Sequence, residues 1–251
     1  MRIATWNINS IRQRVESLAD FLNKQEIDIM LLQELKCMTE MFPKEYFEDI
    51  GYNCLVYGQK SYNGVAILSK YQIECLKFGN EIFENDTQAR YIESFINGFA
   101  VASIYVPNGQ NTEAPAYQYK LNFLQTLQEY IKTRIEDKFI IGGDFNIARS
   151  DIDVYNPKAW KGQVCCTDKE RELFKKILDI GLKDIVRENM PNEKVYTWWD
   201  YRRTSFAKDY GLRLDYILLS KNINVQNCFV DKEERAKEHP SDHAPVVVDI
   251  K

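Results

Sequence analysis

The chain has 251 residues, with 33 Lys and Arg against 37 Asp and Glu and a net charge of −4. That balance argues against a sequence-blind nucleic-acid coat held by bulk positive charge, although it allows a small basic groove on an acidic body. No apolar run reaches membrane-spanning length, and two histidines with six cysteines, none in a Cys-x-x-Cys unit, argue against a zinc enzyme.

Residues 2–8 alternate as a strand does. Ser10 and Gln13 have capping-box spacing, ahead of a helix whose apolar face carries Ile11, Val15, Leu18, Ala19 and Leu22. Residues 27–33 form a continuous apolar run, the mark of a strand buried on both faces. A short helix is predicted over 43–50, and strands over 52–57, 64–69, 73–78, 90–96 and 99–106, with Asn63-Gly64 as a turn. Tyr117, Leu121, Leu124, Gln128, Ile131 and Ile135 keep helical spacing with one polar lapse, and 139–142 is a second buried strand. Thr167 and Glu170 make another capping box, for a helix that stops near Gly181. Strands near 195–199, 213–219, 224–230 and 245–250 complete the chain.

No linker or change of composition divides these elements, so one domain over 1–251 is expected. The first residues enter a strand pattern with no signal peptide, which predicts a cytoplasmic protein with idle thiols. A weak internal echo joins Thr5-Trp6-Asn7-Ile8-Asn9 to Gly143-Asp144-Phe145-Asn146-Ile147. It predicts two similar layers, each a sheet with helices outside. Their inner faces would pack together, and strand-end loops from both would meet at one rim.

The predicted strand ends carry Asn7, Glu34, Tyr105, Asp144, Asn146, Asp215, Asp242 and His243. Carboxylate and carbonyl oxygens suit a hard cation such as Mg²⁺, and a histidine beside them can hold or move a proton near neutral pH. An acid embedded in a strand, as Asp215 is, costs several kcal/mol if left charged and unpaired, so it needs a partner. Together these groups point to metal-assisted hydrolysis of a phosphate ester.

The chain resembles the exonuclease III family of DNA-repair nucleases, within the endonuclease/exonuclease/phosphatase superfamily. The matching stretches are Trp6 to Arg12, Leu32 to Lys36, Asn63 to Ile67, Tyr105 to Gly109, Gly142 to Asn146, Tyr196 to Arg202, Gly211 to Asp215 and Ser241 to Pro245. The resemblance implies a four-layer α/β/β/α sandwich of two packed mixed sheets with outer helices. It implies Mg²⁺ as cofactor, with Mn²⁺ able to substitute. The implied partner is duplex DNA with abasic sites or 3′ ends, cut by a monomeric enzyme to leave 3′-hydroxyls; no membrane is involved. It puts Asn7 and Glu34 at the metal, with Asp144, Asn146, Asp242 and His243 within reach of it. Asp144 and Asn146 would position the attacking water, Asp215 would orient His243 against the phosphate, Tyr105 would stand nearby, and either Asp144 or His243 would take the proton.

On the DNA side the resemblance places Arg90, Asn108, Trp199, Arg202 and Cys166. Trp198 and Trp199 point to opposite faces of a strand, so at least one is core; Trp199, with Arg202 beside it, is expected against the nucleic acid. Cys166 stands where many members carry a bulky aromatic, which predicts a reshaped wall around a base-less sugar. Lys158, Lys161 and Lys169 are expected to be a solvated face. Two other functions compete: a superfamily phosphatase acting on a small phosphoester, and a non-catalytic DNA binder that has kept the fold. The Trp198–Arg202 stretch disfavours the first, and the intact set of strand-end polar groups disfavours the second.

Overall fold

A computed structural model describes residues 1–134 and 137–251; Ile135, expected on a helix face, lies outside the described residues. The strands are β1 (Arg2–Asn7), β2 (Ile29–Gln33), β3 (Asn53–Tyr57), β4 (Val65–Ser69), β5 (Glu74–Phe78) and β6 (Tyr91–Ile96). They continue with β7 (Phe99–Tyr105), β8 (Phe139–Asp144), β9 (Leu182–Asp184), β10 (Asp215–Ser220), β11 (Val225–Val230) and β12 (Val246–Ile250). The helices are α1 (Val15–Lys24), α2 (Lys44–Asp49), α3 (Pro115–Lys132), α4 (Pro157–Trp160), α5 (Asp168–Asp179), α6 (Ile185–Asn189) and α7 (Lys232–Ala236).

Two mixed sheets result, ordered β11-β12-β1-β2-β4-β3 and β5-β6-β7-β8-β10-β9. Each has one parallel pair at its centre, β1 with β2 and β7 with β8. A parallel pair needs a long crossover, and α1 and α3 supply it. The sequence echo joins the ends of β1 and β8, one strand from each of these two parallel pairs. The carboxyl ends of a parallel pair are the natural place for a ligand, because both strands release their loops there.

Ile3, Ile29, Leu31 and Ile67 of the first sheet meet Val101, Ile140 and Ile217 of the second in the inner core. The outer face of the first sheet, with Trp6 and Leu32, is covered by Leu18, Phe21 and Phe47. That of the second, with Ala102, Ile104 and Ile141, is covered by Leu121, Leu124 and Phe174. With both faces covered, β2 and β8 must be apolar throughout, hence their unbroken runs. The result is the expected four-layer α/β/β/α sandwich.

Two glycines let the layers close near the end of β8. A Cβ on Gly142 would lie 2.6 Å from Leu31 Cδ1 of the opposite sheet, and one on Gly143 only 1.8 Å from the Ile104 carbonyl oxygen of β7. Any side chain at Gly143 would force the parallel pair apart just where Asp144 emerges.

The Thr167 box forms as expected: Glu170 N donates to Thr167 Oγ1 at 3.2 Å, and Thr167 N to Glu170 Oε2 at 2.9 Å. The Ser10 box does not form. Ser10 N and Ile11 N instead donate to Glu34 O and Leu35 O, extending the parallel pairing, and Ser10 turns at φ 85°. A 3-10 turn over Ile11–Gln13 intervenes, and α1 starts only at Val15. Residues 195–199 are not a strand but make single bridges from Trp198 to Leu212 and His243. Among the described residues no helix is long and apolar enough to cross a membrane.

Candidate active site

The carboxyl ends of both parallel pairs converge. Glu34 follows β2 at φ 52°, a left-handed backbone that costs a non-glycine residue roughly 1–2 kcal/mol. Its carboxylate is held between the sheets: Asn7 Nδ2 donates to Oε1 at 2.8 Å and Tyr105 OH to the same oxygen at 2.9 Å. Lys36 Nζ lies 2.8 Å from Oε2. Burial raises the Glu34 pKa, but Lys36 and the Asn7 hydrogen bond outweigh it and the net shift is downward.

Asp144 ends β8, level with Tyr105 on one side and Asp215 on the other. Asn7 Nδ2 donates to its Oδ2 at 3.0 Å, Asn146 Nδ2 to the same oxygen at 3.1 Å, and Asn146 N to Oδ1 at 2.8 Å. Burial, opposed by His243 and helped by Asp215 and Glu34, pushes its pKa up to about 7. His243 Nδ1 lies 2.8 Å from Asp215 Oδ2, which leaves Nε2 3.8 Å from Asp144 Oδ2. Burial lowers the imidazole pKa, yet Asp215 and Asp144 together raise it to about 10, so the ring is held protonated. Its Nδ1–H goes to Asp215 and its Nε2–H faces the cleft.

A carboxylate oxygen of Glu34, one of Asp144 and a ring nitrogen of His243 lie within 4.8 Å of one another; the protonated ring has no lone pair to offer, so the two carboxylates are the candidate ligands. A buried carboxylate, Asp144, beside a half-buried one, Glu34, favours a compensating cation, and their oxygen donors suit a hard divalent ion. Asn7 turns its NH₂ toward both carboxylates, bridging them. Asp242 is engaged on both oxygens, by Trp198 Nε1 at 3.0 Å and Asn9 Nδ2 at 2.8 Å.

The centre floors a cleft of about 600 Å³. One side is apolar, formed by Trp160, Val164, Cys165, Trp198, Leu212 and Leu214. The rings of Trp160 and Trp198 stand nearly perpendicular, 6.5 Å apart.

The model of the endonuclease/exonuclease/phosphatase family matches residues 4–243. Exodeoxyribonuclease III of Haemophilus influenzae is 34% identical, with both chains covered in full. The chain belongs to the exonuclease III family. It is a DNA repair nuclease, an enzyme that hydrolyses phosphodiesters. A 3′ phosphatase from Neisseria, solved with a product DNA hairpin, is 37% identical with a TM-score of 0.98, covering 100% of this chain and 99% of its own. An AP endonuclease from Archaeoglobus fulgidus is 36% identical with a TM-score of 0.97 and the same coverage.

Within this exonuclease III fold, Asn7, Glu34, Tyr105, Asp144, Asn146, Asp215, Asp242 and His243 do meet at one rim. Two expectations on the DNA side fail. Trp199 is fully buried, set edge-on to Phe206 and donating through Nε1 to Asp209 Oδ1 at 3.0 Å, so it offers no face for stacking. Trp198 lines the cleft instead, because the bridge of Trp198 to Leu212 fixes which ring faces out. Trp199→Ala is therefore expected to cost about 3–5 kcal/mol of stability. Thermal melting checks this: an unchanged Tm would contradict the core position.

Cys166 is also buried, at 2% exposure, and Cys165 takes the place at the cleft. The left-handed turn at Cys165, φ 72°, sends Cys166 inward. An aromatic at 166 would overpack the interior rather than wall a sugar. Arg90 is half-buried and supports Tyr105: its guanidinium lies 4.8 Å over that ring, and Nη1 donates to Tyr105 O at 3.3 Å. Asn108 and Arg202 are at the cleft, Asn108 donating to Asn146 Oδ1 at 3.0 Å and Arg202 paired with Asp200 at 2.7 Å. Lys158, Lys161 and Lys169 are exposed. The sequence reading missed Asn9, Lys36 and Thr197. Thr197 Oγ1 accepts the amides of Leu214 and Asp215 at 3.0 and 3.1 Å and so holds the start of β10. None of them had a periodic signal that could have flagged it.

Proposed function

We propose that the protein is a divalent-metal-dependent hydrolase of duplex DNA. It would break the bond from phosphorus to the 3′ oxygen at abasic sites, blocked 3′ ends and 3′-terminal nucleotides, and leave a 3′-hydroxyl. The observation that carries this reading is the placing of Asp144 beside the Glu34 carboxylate and the His243 ring, the three groups lying within 4.8 Å of one another where the strand ends of both sheets meet. The relatives that act on 3′ phosphates, AP sites and DNA ends support it.

Glu34 and Asp144 would hold Mg²⁺ or Mn²⁺, with Asn7, Asn146, Asp242 and His243 around it. When bound, the ion neutralises the phosphate and stabilises charge that grows in the transition state. Asp144 is the better base: Asn7 and Asn146 aim its carboxylate, whereas the His243 ring is committed through Nδ1 to Asp215 and turns Nε2 toward Asp144. Asn146 aims the Asp144 carboxylate and the attacking water. His243, locked by Asp215, donates Nε2–H to a phosphate oxygen. Tyr105 orients Glu34 and stands beside the phosphate. Trp198 and its apolar neighbours would hold the deoxyribose, while Asn108 and Arg202 meet the DNA backbone.

One chain supplies the whole group, so we propose a monomer working as a single domain over 1–251. The described cysteines are free, which suits the cytoplasm. The test is incubation with end-labelled duplexes carrying an abasic analogue, a 3′-phosphate or a plain recessed 3′ end. Cleavage or dephosphorylation of at least one is expected. Turnover of small phosphoesters with all the duplexes left intact would favour a superfamily phosphatase.

A further inference from the structure

Beneath the proposed site, Lys120 of α3 and Glu170 of α5 are both completely buried, with Nζ 2.5 Å from Oε1. Such a pair is a poor way to dock two helices, since well-packed apolar side chains often do as well or better. Its geometry points elsewhere. A lysine ammonium has three donors, and here each finds an acceptor: Glu170 Oε1, the Asn146 carbonyl at 2.7 Å and the Asn108 carbonyl at 3.1 Å.

Glu170 reaches a third turn. Its Oε1 also accepts Cys165 N at 3.0 Å, and its Oε2 accepts Thr167 N and Oγ1 at 2.9 and 2.7 Å. Tyr117 OH closes on Thr167 Oγ1 at 2.6 Å. The turn at Gly109 lies against the lysine stem so closely that a Cβ there would be 3.3 Å from Lys120 Cδ. The turns at Asn108, Asn146 and Cys165, all of which line the cleft, are thus tied to one ion pair.

Asn146 is the turn that bears on the chemistry. It sits at φ 51°, a conformation that persists only where the surroundings enforce it. Its amide and side chain supply three hydrogen bonds, two to Asp144 Oδ1 and Oδ2 and one to the Val106 carbonyl. Without Lys120 the Asn146 carbonyl would be a buried acceptor without a donor, and the turn would be free to relax away from Asp144.

We propose that the buried Lys120–Glu170 pair is a positioning brace that fixes Asn146, and through it Asp144, for attack on the phosphate. This rests on the reading of the site given above. Lys120 touches no reacting atom; it acts through the Asn146 carbonyl.

The test is the double variant K120M/E170Q. Met fills the lysine's space, and Gln keeps the capping box with Thr167. The expected result is a folded protein whose kcat falls at least tenfold on every duplex that the native enzyme cuts, with KM within about twofold. Combining it with Asn146→Ala should then cost no more than Asn146→Ala alone, since a brace acting through Asn146 has nothing further to lose. An unchanged kcat in the folded double variant, or losses that simply multiply, would overturn the brace. Should the double variant not fold, the neutral pair K120Q/E170Q, which keeps an amide donor near the Asn146 carbonyl and leaves no unpaired buried charge, carries the test, with about a threefold fall in kcat expected. Failure of both to fold would assign the pair to stability and overturn its positioning role. A near-native rate for Asn146→Ala itself would instead sink the reading of the site.

Discussion

Asp144→Asn should lower kcat by about two orders of magnitude or more while the protein folds and binds DNA normally. The amide has the shape of the carboxylate but can neither accept a proton from water nor offer an anionic oxygen to a cation. Both losses fall on charge that develops in the transition state, so kcat bears the cost and ground-state affinity does not. Burial works against the charged form of Asp144, so losing the charge offsets the hydrogen bond that the amide NH₂ cannot accept, and Tm should stay near native. Single-turnover rates with excess enzyme, set beside fluorescence anisotropy of a labelled duplex, measure the two quantities. A near-native rate would remove Asp144 from the chemistry, and lost binding would turn it into a substrate-holding group.

His243→Ala should produce a loss of similar size by a different route. The imidazole is held protonated by Asp215 and aims Nε2–H toward Asp144 and the cleft. Truncation removes the donor and also leaves Asp215 buried without its cation. Asp215 Oδ1 already has no partner among the described residues, so an uncompensated charge there should lower Tm as well. This separates the two variants: Asp144→Asn is slow without loss of stability, and His243→Ala is slow with a lowered melting point. A His243→Ala protein that is as stable as the native one would show that Asp215 does not depend on the imidazole. A His243→Ala protein with a near-native rate would remove the ring from the reaction.

The legible parts of this fold have a common cause. β2 and β8 are buried on both faces, so their apolar runs are unbroken, and the acids that follow them stand out as strand ends. The echo between β1 and β8 was visible because both strands end a layer at the same rim. What could not be read depends on backbone turns that spacing does not encode. Alternation puts one of Trp198 and Trp199 in the core, but the bridge to Leu212 decides which. Cys165 and Cys166 exchange places because Cys165 takes a left-handed φ. Ser10 has the residues of a cap, yet its amide is drawn into pairing beyond β2. Lys120 and Glu170 lie 50 residues apart on separate helices, and the capping-box spacing that marks Glu170 gives no sign of Lys120.

In the function proposed above, strand ends of two sheets make one cation-dependent hydrolytic site, with Glu34 as a ligand. The most direct measurement is the Mg²⁺ concentration needed for half-maximal hydrolysis of a labelled duplex, by the native protein and by Glu34→Gln, with a chelator control. No turnover is expected in chelator, with recovery on Mg²⁺ or Mn²⁺. Glu34→Gln, which keeps the shape but loses the anion, should need at least about tenfold more metal, or about 1.4 kcal/mol of lost affinity. Full activity in chelator, or a Glu34→Gln protein with a native metal requirement, would contradict a cation held by Glu34.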